Sequence, residues 1–160
     1  MGKNHTFRVS FVSIPGDSTA LPASQLLAKV RIGPLWDAAT IFAKDQELPR
    51  LYVAWLDDHG YIVHCFEDDA FFGNFLVIDR VFSKPEVEIN LDGQSLERWP
   101  AQLFVPEELA SRAIEFFLES GKRDPAQTWI GTDAFPRKIV WEGRAQRTAY
   151  ERSQHERRDP

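Results

Sequence analysis

Phe7, Val9 and Phe11 alternate with Arg8, Ser10 and Val12, the two-residue period of a strand with one buried face, so residues 7–13 open the chain as β structure. Pro15-Gly16-Asp17-Ser18 interrupts it. Leu26, Leu27 and Val30 then give residues 24–30 a helical apolar face, which Gly33-Pro34 ends. The next run reads two ways. Pro34 opens a further turn of helix through Leu35, Trp36, Ala39 and Phe42, or Thr40-Ile41-Phe42 pairs as a strand. Residues 51–56 and 61–66 are rich in aromatic and aliphatic side chains and flank Asp57-Asp58-His59-Gly60. This predicts a hairpin with Gly60 at a position needing positive φ. Large side chains on both faces (Tyr52, Trp55, Tyr61 and Phe66) place that hairpin centrally in its sheet, covered by helix on at least one side.

Residues 75–78 and 87–91 predict two more strands, and Asp92-Gly93 a tight turn returning the chain through Leu96 toward Trp99 and Phe104. The clearest element follows. Pro106 suits a helix start, where its missing N–H costs nothing, and Glu107 and Glu108 meet the positive helix end. Leu109, Ala113, Phe116 and Phe117 form an apolar stripe widened by Ala110 and Ile114. Gly121 is a left-handed terminator, with Lys122 and Arg123 beyond it and Pro125 preventing a restart. Thr128-Trp129-Ile130 reads as a short edge strand, and Ile139, Val140 and Trp141 are apolar enough to dock on the body. The order of elements predicts an α+β fold: one domain over residues 1–143, with a mostly antiparallel, twisted β-sheet packed by two or three helices. Residues 144–160 form a polar, partly disordered C-terminal tail in this reading.

Composition changes this picture little. The chain has 160 residues, 43% hydrophobic and 12% aromatic, enough for one substantial core. No run approaches a membrane span and the first residues lack the apolar block of a signal peptide, so a cytoplasmic location is the expectation. Charge changes it more. The net charge of −5 hides thirteen acidic and four basic residues between Asp37 and Glu97, against seven basic and four acidic between Arg137 and Pro160. So acidic a middle argues against direct contact with nucleic acid and fits a basic protein partner, with solubility as the plainer alternative.

Catalytic chemistry finds little footing. His59 and His64 lie near several acids, yet His59 sits in the hairpin turn and His64 partway along a strand, so the two need not converge on a metal. His64 and Cys65 are neighbours in a strand and point to opposite faces, which prevents them from forming a nucleophile pair and makes Cys65 a small core residue. No phosphate loop, dinucleotide fingerprint, nucleophile elbow or zinc-ligand spacing occurs. The expectation is a protein that is not an enzyme, with no catalytic residues, no metal and no cofactor.

The strand and turn Val87-Glu88-Ile89-Asn90-Leu91-Asp92-Gly93, then Trp99-Pro100-Ala101, Val105-Pro106, the helix end Phe117-Leu118-Glu119-Ser120-Gly121, Pro125 and Trp129 together resemble the first immunity protein family of bacterial polymorphic-toxin systems. That family's pattern stops shortly after the tryptophan, and residues 130–160 lie outside it. The resemblance implies a cytoplasmic antidote that binds a cognate protein toxin, often a deaminase or nuclease acting on nucleic acid. Enzymes that grip nucleic acid expose Lys and Arg for phosphates, and an acidic surface can occupy that groove. On this reading Asp57, Asp58, Glu67, Asp68 and Asp69 are rim contacts, with Phe71 and Phe72 as aromatic anchors. The alternatives are an adaptor that meets an unrelated partner through the basic tail, and a small metal-dependent enzyme around His59 and His64.

Overall fold

The computed structural model describes residues 7–11, 16–19, 21–32, 38–43, 46–56, 59–68, 73–80, 86–91 and 95–131, among which lie nine strands, two α-helices and one 3-10 turn. In chain order these are β1 (Phe7–Phe11), β2 (Asp17–Thr19), α1 (Ala23–Ile32), β3 (Ala38–Ala43), β4 (Arg50–Leu56), β5 (Gly60–Phe66), β6 (Asn74–Leu76), β7 (Glu86–Leu91), β8 (Ser95–Pro100), the 3-10 turn (Ala101–Leu103), α2 (Glu107–Ser120) and β9 (Trp129–Gly131). Seven strands form one antiparallel sheet in the order β2-β1-β3-β4-β5-β6-β9, and β7 and β8 pair separately. This is the α+β architecture, with the 51–56/61–66 hairpin at its centre as the residue pattern requires.

The two-residue strand period decides what each sheet face carries. Val9, Ile41, Leu51 and Cys65 stand opposite one another across β1, β3, β4 and β5, all but sealed from solvent. They face the helices. Leu26, Leu27 and Val30 of α1 and Ala110, Ala113, Ile114 and Phe117 of α2 close over this face, and the Phe117 ring sits 5.5 Å from that of Phe7. Each large side chain buried here contributes about 1.5–3 kcal/mol. On the opposite face a second core gathers Ile62, Phe75, Val77 and Ile130 of the sheet under Trp99, Leu103 and Phe104. The row Arg8, Phe42, Arg50 and Phe66 crosses the same outer face, each guanidinium lying over a ring, at 4.1 Å for Arg8 and 4.5 Å for Arg50.

Several expectations change in detail. Residues 38–43 are strand, not helix: Ala39, Ile41 and Ala43 alternate inward into the core under the helices. The 87–91 strand does not join the main sheet but pairs with β8 in its own hairpin, presenting Val87 and Trp99 to the second core. β6 ends at Leu76, although the Val77 N–H carries its pairing with β9 one step further, to the Thr128 carbonyl at 3.0 Å, and Ile78 beyond is exposed. The apolar stripe of α2 is centred on Ala110, Ala113, Ile114 and Phe117, leaving Leu109 and Phe116 half-buried at its margins. The α2 terminator is as read: Gly121 has φ 69°, and its N–H donates to the Phe117 carbonyl at 2.7 Å. Residues 132–160, including Ile139, Val140, Trp141 and the tail, lie outside the described residues.

One joint ties the layers together. The Tyr61 N–H donates to the Val105 carbonyl at 2.9 Å and the Val105 N–H to the Tyr61 carbonyl at 2.8 Å, fixing the entry to α2 against the start of β5. The Tyr61 hydroxyl donates to the Leu27 carbonyl of α1 at 3.3 Å. Gly60 permits this approach: its φ is 121°, and a Cβ there would lie 2.8 Å from the Val105 oxygen. Gly60→Ala should therefore destabilise the protein by about 1–3 kcal/mol. Urea denaturation checks this, and an unchanged midpoint would show the joint to be compliant.

Candidate partner-binding surface

Strand β5 sorts the chemically active side chains by its alternation. His64 faces outward into the second layer, its ring stacked 3.7 Å from that of Phe75 and 4.1 Å from that of Phe66 (centroid to centroid). Burial, with the charge of Arg50 in support, lowers its pKa to about 3. Cys65 points to the helices, and burial, with Glu67 adding and Arg123 opposing, raises its thiol to about 12. At neutral pH the imidazole is uncharged and the thiol protonated, which suits core groups rather than a proton shuttle or a nucleophile. His59 is exposed in the hairpin turn, its ring 5.4 Å from that of Phe104, and it lies five positions before His64, about 16 Å along an extended chain. Among the described residues no group of three or more His, Cys, Asp or Glu side chains is placed to hold a metal ion.

The acids that follow β5 meet the segment that follows α2. Glu67 Oε1 accepts from both the backbone N–H and the Nε–H of Arg123, each at 3.0 Å. Partial burial pushes the Glu67 carboxyl up, but these two hydrogen bonds and the charges of Arg123 and Lys122 outweigh it, and the net shift is downward. The next residue, Asp124, is buried and organises the turn: its Oδ1 accepts from the Ala126 N–H and its carbonyl from Trp129 Nε1–H, both at 2.9 Å. Lys122 to Trp129 is thus held at both ends, which gives the edge strand β9 a fixed place beside β6.

Glu67 and Asp68 border a cleft of about 420 Å³ at the C-terminal end of α2, floored by Phe7, Ala43 and Pro49. Lys122 stands in its wall, and Asp68 is exposed, with no hydrogen bond or ion pair to it among the described residues. Of the other residues expected at a partner surface, Asp57, Asp58, Asp69, Phe71 and Phe72 lie outside the described residues. Leu56 and His59, which flank Asp57 and Asp58 in the chain, are at the opposite end of β4 and β5 from Glu67 and Asp68, about 20 Å along a seven-residue strand.

Two further features escaped the sequence reading. At the far end of the hairpin a second cleft of about 430 Å³ includes Arg31, Trp55, His59 and Glu107, with the Arg31 guanidinium 4.8 Å from the centre of the Trp55 ring. Along α2, Glu107, Glu108, Glu115 and Glu119 are exposed, so negative charge extends beyond the acidic middle of the chain. The helical period from Glu108 to Glu115 and Glu119 was a readable signal for that outer face. The Glu67–Arg123 pair, 56 residues apart in sequence, had none.

In comparisons with known proteins the chain matches no family model, no curated protein and no solved structure.

Two pH-dependent outcomes follow from this geometry. The His64 imidazole titrates near 6.5 when unfolded and near 3 in the fold, so between those values the unfolded chain binds the additional proton. Its contribution is complete above pH 6.5 and is lost as pH falls toward 3, by up to about 1.4 kcal/mol per pH unit. His64→Leu should flatten that part of a stability–pH curve from urea titrations. Glu67 has the carboxylate pattern: its lowered pKa stabilises the fold above the unfolded value, an advantage lost as pH falls through the folded one. Because the pair is about a third exposed, Glu67→Gln should cost less than ~1 kcal/mol at pH 7, and the difference from the parent should vanish at low pH.

Proposed function

We propose that this chain is an immunity protein: a non-catalytic inhibitor that binds a cognate bacterial toxin domain in the cytoplasm and covers its active site or substrate groove. The observation that carries the reading is the placement of Glu67 and Asp68 at the edge of an apolar-floored cleft, with Glu67 fixed by Arg123. A binding protein needs charge presented from a rigid support, and a sheet buried under two helices supplies one. The burial of His64 and Cys65 is in keeping with it, since neither is offered to a substrate. The resemblance of residues 87–129 to the first immunity protein family supports the same class. The toxin class the acidic surface favours is a deaminase or nuclease, whose substrate groove exposes Lys and Arg to phosphates.

The deciding experiment is co-expression with the protein encoded by the neighbouring gene, scored by growth rescue and by co-purification. Rescue with a stable complex is the expected result, and neither binding nor protection with any adjacent toxin would sink the proposal. Within such a complex, Asp68→Lys together with Asp69→Lys should slow association about tenfold at low salt and reduce its salt dependence, leaving the thermal unfolding midpoint unchanged. Stopped-flow mixing at two ionic strengths measures it; unchanged kinetics would exclude these acids from the interface.

A further inference from the structure

The cleft bordered by Glu67 and Asp68 is built in two chemically distinct parts. Its floor is apolar: Phe7 and Ala43 are both buried, and the Pro49 ring stands beside Gly121. Its border is charged: Glu67 is balanced by Arg123, and Asp68 stands on the same border as the ammonium of Lys122. The end of α2 at Ser120 and Gly121 also lines it, bringing the negative end of a 14-residue helix to the same opening. An open carboxylate, Asp68, beside an apolar floor and a helix C-terminus is the complement of a side chain with an apolar stem and a cationic head. Its volume of about 420 Å³ is in the range of pockets that hold a small organic group.

The two carboxylates are not equivalent. Glu67 Oε1 is already occupied by Arg123 through two hydrogen bonds, which orients that carboxylate and keeps it ionised. Asp68 has neither a hydrogen bond nor an ion pair among the described residues, so both of its oxygens are open to an incoming donor. A planar guanidinium can donate to both oxygens at once, whereas an ammonium meets them as a point charge. We infer that the cleft between Ala43, Pro49, Glu67, Asp68 and the end of α2 is a socket for an arginine side chain of the protein partner, its stem on the Phe7–Ala43 floor and its guanidinium paired with Asp68. The inference rests on the reading of this chain as a binding protein and names the partner group that this part of its surface takes.

The test needs no toxin. Full-length ¹⁵N-labelled protein is titrated with N-acetyl-arginine amide and, separately, with N-acetyl-norleucine amide, an apolar probe that keeps an aliphatic stem and lacks the guanidinium. The arginine probe should shift the backbone amides of Ala43, Gly121 and Lys122 saturably with millimolar affinity, the norleucine probe at least about fivefold more weakly. Asp68→Asn, a same-size change at an exposed site, should leave the rest of the spectrum in place and weaken arginine binding by about fivefold or more. No saturable shift, equal binding of the norleucine probe, or unchanged binding in Asp68→Asn each overturns the assignment. Arginine binding without rescue by any neighbouring toxin would keep the socket and discard the toxin. Rescue without arginine binding would do the reverse.

Discussion

The approach of Val105 to Tyr61 is the contact on which the remaining geometry depends. Two backbone hydrogen bonds extend β5 by one bridge to a segment 44 residues later, and the strand's first aromatic ring then reaches across to α1. Without that bridge α2 would enter the fold at no fixed angle, and its Ala110–Phe117 face would lose its register over the sheet. Packing alone is a weak guide here, since apolar surfaces slide at little cost, whereas a directional pair of hydrogen bonds in a buried place does not. The Trp55 ring, 4.6 Å from that of Tyr61, walls the joint on one side.

What the chain reveals by inspection is mainly local. Gly121 announces the end of α2 because a left-handed residue is needed there and glycine adopts it freely. Gly60 and the alternation of residues 51–66 announce the central hairpin for similar reasons. The split between His64 and Cys65 follows from the strand period alone. Where tertiary context decides, inspection fails. Residues 38–43 carry no pattern that separates helix from strand, and it is pairing with β1 on one side and β4 on the other that settles them. That β7 and β8 form a separate hairpin depends on where Trp99 finds apolar company, which no local signal contains.

The candidate surface divides in the same way. Acidity along residues 37–97 was legible as composition, but composition does not show which carboxylates are free and which are tethered. Glu67 and Asp68 are adjacent in sequence yet differ in this respect: one is fastened to Arg123 and the other is open. The difference matters for recognition, because a tethered carboxylate loses little entropy on binding while an open one supplies the new bonds. A partner-binding surface so organised would present the Glu67 carboxylate in a fixed direction before any partner arrives.

The position of Cys65 has a practical consequence. It is the chain's single thiol, it lies at the middle of the sheet with no exposed surface, and its neighbours across β4 and under the helices are apolar. Alkylating reagents can reach it only when β5 parts from its surroundings. The labelling rate of the native protein, followed by mass, is therefore a clock for the opening of the central strand. Read with and without a bound partner, the same atom would report how far an interface at the sheet's end is felt at its centre.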